Sequence, residues 1–65
     1  MRNNRKYAYD YTNTDEINAM ANAIMGHTTS KARQDAFNTI KDINLMFALE
    51  VFKVIIKIDR NAISF

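Results

Sequence analysis

The sequence predicts a helix-dominated α+β fold in a single domain, residues 1–65, and three patterns carry that expectation. KYAYDYT, residues 6–12, alternates aromatic with small or polar residues, the period of a half-buried strand. Residues 14–49 space their apolar side chains three and four apart, the period of helices packed on a core. Residues 51–58 concentrate β-branched side chains ahead of a polar triplet, the composition of a hairpin arm and its turn.

Alternation along residues 6–12 puts Tyr7, Tyr9 and Tyr11 on one face and Lys6, Ala8, Asp10 and Thr12 on the other. Such a strand is expected at a sheet edge, or paired with its copy in a dimer. Residues 1–5 ahead of it are expected to form a short flexible basic arm. A helix over 14–25 follows, in which Ile17, Met20, Ala21 and Ile24 form the apolar stripe. Thr14 or Asn13 can cap it, and Asp15 and Glu16 place negative charge on the positive end of its dipole. Gly26 is the expected stop, through the left-handed conformation that glycine adopts without steric cost.

In the connector HTTS, Thr28, Thr29 or Ser30 can cap a second helix, expected over 29–49. Its stripe is Ala32, Ala36, Ile40, Ile43 and Phe47, with Phe37 beside it, and Arg33, Gln34, Asn38, Lys41 and Asp42 lie outside. LMFAL, from residue 45, is apolar on every side and implies burial in a core or an interface. Asn44 beside the stripe is either a register-fixing polar residue of a dimer or an edge residue with a satisfied amide. The remainder, EVFKVIIKIDRNAISF, has two readings. The preferred one is a C-terminal β-hairpin pairing 51–58 with 62–65 through a turn at Asp59, Arg60 and Asn61. The alternative is a continuing helix, which the helical spacing of Glu50, Lys53, Lys57 and Arg60 allows.

A chain of 65 residues has room for one core, and at this size only about 60% of the unfolded surface is buried. Disulfides, a metal or a partner subunit usually compensate. Cysteine is absent and His27 is the only histidine, so disulfides, thiolate ligands and a histidine cage are excluded and no metal or cofactor is expected. Oligomerisation or a very efficient core remains, and of the two a homodimer is expected. The net charge of +2 is unevenly spread: Arg2, Arg5 and Lys6 contribute +3, and the rest of the chain sums to −1. A basic arm of this kind suits phosphate or an acidic protein surface, with an affinity that salt weakens. No secretory signal is visible, and the longest apolar stretch is too short and too often interrupted by charge to span a bilayer, so a cytoplasmic protein without integral membrane association is expected.

Enzymatic chemistry is not expected. There is no cysteine nucleophile and no glycine-rich phosphate loop, the carboxylates are scattered, and His27 is a lone connector residue. Binding chemistry is better represented. Lys31 and Arg33 fall in the first turn of the second helix, where the dipole disfavours cations; either both long side chains bend into water at small cost or an anion relieves the conflict.

Taken in order, the basic arm, KYAYDYT, TDEINAMANAIM and GHTTSKARQDAF resemble the ribbon–helix–helix family of DNA-binding regulators over residues 6–47. The resemblance implies a homodimer whose paired strands enter the major groove of DNA. It implies that Lys6, Ala8, Asp10 and Thr12 face bases, and that the tyrosines pack inward. It further implies that Thr28, Thr29, Ser30 and Lys31 hold the phosphate backbone, with Arg2 and Arg5 adding to the nucleic-acid surface. Asp10, Arg33 and Asp35 depart from the family pattern, and residues 50–65 have no counterpart in its minimal fold. The rival expectation is a small interaction protein that inhibits or adapts another protein, with Tyr7, Tyr9 and Tyr11 on an exposed strand as its contact surface. The abundance of asparagine, isoleucine and lysine fits an AT-rich phage or plasmid gene. A third option is attachment to a membrane surface through the apolar C-terminal half.

Overall fold

The computed structural model describes residues 9–65, which form three helices: α1 (Thr14–Met25), α2 (Ser30–Ile43) and α3 (Leu45–Ile58). α3 packs extensively against both α1 and α2, which touch each other less, so it is the central element. The last residues, 59–65, turn back over α2 and α3.

The start of α1 is set locally. The Asn13 side chain accepts from the Glu16 N–H at 3.1 Å, so Asn13 and not Thr14 is the cap. Ile17, Ala21 and Ile24 are buried, and Met20 packs at the core edge. The helix ends at Gly26 with φ −70° and ψ −19°, so the left-handed stop expected there is not used. Its N–H instead reaches back to the carbonyls of Asn22 at 2.9 Å and Ala23 at 3.3 Å, and His27 N–H donates to Ile24 at 3.2 Å, which tightens the last turn. α2 begins where Thr29 Oγ1 accepts from Ala32 N–H at 3.1 Å.

The fold class differs from the α+β expectation: among the described residues there is no strand. Three corrections follow, each with a physical cause. At the amino end, residues 9–12 are not extended ribbon. Asp10 Oδ1 accepts from both Thr12 N–H at 2.8 Å and Thr12 Oγ1 at 2.6 Å, and Asn13 N–H donates to the Asp10 carbonyl at 3.0 Å. An Asp that bonds the backbone two residues on makes a turn, and here the turn leads into the cap of α1. Residues 6–8 of the expected strand lie outside the described residues.

The second correction concerns the helix expected over 29–49, which is broken at Asn44. With φ −153° and ψ 102°, Asn44 leaves the helical region while its side chain accepts from Phe47 N–H at 3.0 Å, capping α3. Its own N–H donates to Ile40, ending α2. One residue thus closes one helix and opens the next. The change of direction moves Ile43 off the buried stripe, and Phe37 and Ile40 become the core residues of α2.

Third, residues 51–58 are helical, and no hairpin pairs them with 62–65. β-Branched residues lose only a fraction of a kcal/mol each in a helix, a preference that tertiary packing readily overrides. Phe47, Ala48, Val51 and Ile55 recur on one face and are completely buried between α1 and α2. Burial of side chains this large is worth about 1.5–3 kcal/mol each, which outweighs the lost propensity. Beyond α3, Asp59 Oδ1 accepts from Asn61 N–H at 3.0 Å in the expected turn, after which Ala62 and Ile63 close the core. No helix among the described residues is long and apolar enough to cross a membrane.

Candidate interaction surface

The residues singled out by sequence do not converge on one site. Arg2, Arg5, Lys6, Tyr7 and Ala8 lie outside the described residues. Asp10 and Thr12, expected to face bases, bond to each other in the turn before α1. The hydroxyl and main-chain N–H of Thr12 hold the exposed Asp10 carboxyl below its ordinary range. Asp10 N–H in turn donates to Glu16 Oε1 at 3.1 Å, tying the turn to the first turn of α1.

Tyr9 and Tyr11 do not share a face. Tyr9 takes a positive φ of 47°, an uncommon backbone region for a residue with a Cβ, and its ring lies 5.2 Å from that of the buried Phe47. Its carbonyl accepts from Asn44 Nδ2 at 3.3 Å. Tyr11, past the reversal, is 48% exposed. The equal-face arrangement required for a tyrosine-lined strand is thus absent from the described part of the segment.

At the amino end of α2, Thr28, Thr29 and Ser30 are exposed, and the Thr29 hydroxyl is engaged in capping. Lys31 Nζ lies 2.8 Å from Asp35 one turn on, and that carboxylate raises the lysine pKa above its ordinary value, first through the hydrogen bond and then through charge attraction. For Lys31 the dipole conflict inferred from sequence is thus met inside the helix by Asp35, through an i,i+4 pair. Arg33 Nε is enclosed without a hydrogen-bond partner among the described residues.

The feature missed from sequence is an apolar corner where α2 meets α3. Ile43, Leu45 and Met46 are 57%, 53% and 52% exposed. They flank Asn44, and the Asn44 side chain holds the Tyr9 carbonyl, so the turn carrying Tyr11 is tethered to this same junction. The four residues Ile43–Met46 carry no charge. Periodicity alone assigned Ile43 to the core and LMFAL to burial in a core or an interface. The signal for the corner was Asn44 three residues before Phe47, a cap spacing that breaks the stripe and turns its neighbours outward.

Among the described residues no group of histidine, aspartate and glutamate side chains stands close enough together to hold a metal ion. Comparison with protein families, with curated proteins and with solved structures returned no match.

Proposed function

We propose that this chain is a small non-enzymatic interaction protein whose working surface is the apolar corner formed by Tyr11, Ile43, Leu45 and Met46, and whose first partner is a second copy of itself. The observation that supports it most is the concentration of exposed large side chains at one helix junction, in a chain short enough that burial against a partner changes its stability appreciably. The absence of charge from residues 43–46 suits self-association, because two copies can bring these residues together across a twofold axis without burying an unpaired ion among them. The ribbon–helix–helix reading loses support by comparison, since its ribbon depended on an extended residue 6–12 segment and residues 9–12 form a turn.

Light scattering across a concentration series tests the proposal. The wild-type chain is expected to dimerise, and Leu45→Glu with Met46→Glu to remain monomeric with its helix content intact. A wild-type chain that stays monomeric at every concentration overturns the proposal. Titration with duplex DNA at low and raised salt separates it from the regulator reading: saturable, salt-weakened binding would return the function to DNA recognition.

A further inference from the structure

Residues 62–65 are held in a manner unlike the rest of the fold, and the difference points to a second binding surface distinct from the apolar corner. The groove between α2 and α3 grips this segment through its main chain. Gln34 Nε2 donates to the Ser64 carbonyl at 2.8 Å, and Gln34 Oε1 accepts from Ser64 N–H at 2.7 Å. One side-chain amide thereby satisfies both main-chain groups of a single residue, a form of recognition that ignores that residue's side chain. The Gln34 amide is itself oriented by Asn38 Oδ1 at 3.1 Å.

Side chains are read on either side of Ser64. Ile63 is buried in the core. Phe65 sets its ring edge-on to Phe37 at 5.7 Å and Phe52 at 5.3 Å, and stays 45% exposed. Lys41 Nζ donates to the main-chain oxygen of Phe65 and lies 4.9 Å from the centre of its ring. Past the turn at Asp59, whose carbonyl accepts from Ala62 N–H at 3.2 Å, no main-chain hydrogen bond joins residues 63–65 to another main-chain group among the described residues. Their polar anchorage is supplied by two side chains, Gln34 and Lys41.

We propose that Ser64 and Phe65 form a releasable strap hinged on the buried Ile63, and that the groove beneath them takes a non-helical peptide whose phenylalanine follows a residue held by its main chain, for which the strap is the resident stand-in. Ala62 and Ile63 are buried with the main core, whereas the exposed Ser64 and Phe65 are held by Gln34, Lys41 and ring contacts, so these two residues open locally at lower free energy than the helices. Release uncovers the whole recognition set: a main-chain clamp at Gln34, a shelf of two phenylalanine rings and a cation at Lys41. The strap competes at the high local concentration that covalent linkage confers, so an external peptide binds appreciably only when the strap is weakened.

The test uses the full chain and the labelled heptapeptide Asp-Arg-Asn-Ala-Ile-Ser-Phe, the sequence of residues 59–65. Phe65→Ala removes a half-exposed ring and leaves Ala62 and Ile63 in place. That variant is expected to bind the peptide at least about tenfold more tightly than wild type, and Gln34→Ala added to it is expected to abolish the gain. Equal affinity in wild type and Phe65→Ala, absence of saturable binding by the variant, or indifference to Gln34→Ala overturns the proposal. Hydrogen exchange on the unaltered chain gives a second readout that needs no variant. The Ser64 amide is expected to exchange at least about a hundredfold faster than those of Val51 and Ile55. Equal protection would make the strap part of the global fold and contradict its release.

Discussion

α1 and α3 are both amphipathic helices with fully buried side chains, yet they owe their helical state to different things. α1 is specified by its own residues: an asparagine cap, two acidic residues in the first turn, and alanine, methionine and asparagine rather than a β-branched run. α3 has no acidic residue in its first turn and is crowded with valine and isoleucine. Its helical state is imposed by the two helices that cover it and by the single cap at Asn44. Local chemistry is sufficient for one helix, and tertiary packing decides the other.

Phe47 offers the strongest means of breaking that contrast. It is fully buried, packs against Tyr9 and belongs to the face that holds α3 in place. Phe47→Ala should cost about 3–5 kcal/mol, enough to unfold a domain of this size, as a loss of cooperative melting by circular dichroism. Asn44→Ala should have the next largest effect, about 1–2 kcal/mol in chemical denaturation, because it removes the cap of α3 together with the bond to Tyr9. Asn13→Ala removes only the cap of α1, which leaves Asp15 and Glu16 in place, and should cost about 1 kcal/mol or less.

These differences explain what was legible in the sequence. The stripe Ile17, Met20, Ala21 and Ile24 and the acidic start located α1, because those signals act over a few neighbouring residues. The connector was legible for the same reason, with Thr29 among the residues proposed to cap α2. The C-terminal half was misjudged because β-branching is a local preference, whereas the burial that defeats it involves residues of α1 and α2 distant in the chain. Alternation in KYAYDYT was misleading in a different way. Asp10 and Thr12 supplied the strand's polar face on paper, but their spacing is equally that of a side-chain turn, and the turn is what forms. The apolar corner escapes periodicity for the same reason that α2 and α3 merge in it: an asparagine beside a stripe looks like its edge, and only the cap spacing from Asn44 to Phe47 marks its end.

Smaller effects sharpen the comparison. Ile58 is 60% exposed at the end of α3, so Ile58→Ala should gain a few tenths of a kcal/mol, less than about 0.7, from helix propensity with little packing lost. A comparable gain is not expected from Ala23→Ile in α1, which should lose stability by a similar amount in the same denaturation measurement. The pH dependence is smaller still. Asp10 is held below its ordinary pKa of 3.8 in the folded chain, so its contribution is complete above that value and is lost as pH falls through the lowered one. Lys31 is raised above 10.5, so its contribution is complete below that value and disappears as pH rises through the higher one. An NMR titration of the Asp10 carboxyl should find its midpoint below 3.8 and the Thr12 amide shifting with it.

The claim on which all of this rests is that residues 45–58 are a helix held by packing. Carbon chemical shifts measured by NMR on the full chain and on a peptide of those residues alone test it most directly. The account predicts helical shifts through Ile58 in the full chain and values near random coil in the peptide. Extended-chain shifts over 51–58 in the full chain, or a peptide as helical as the intact protein, would contradict it.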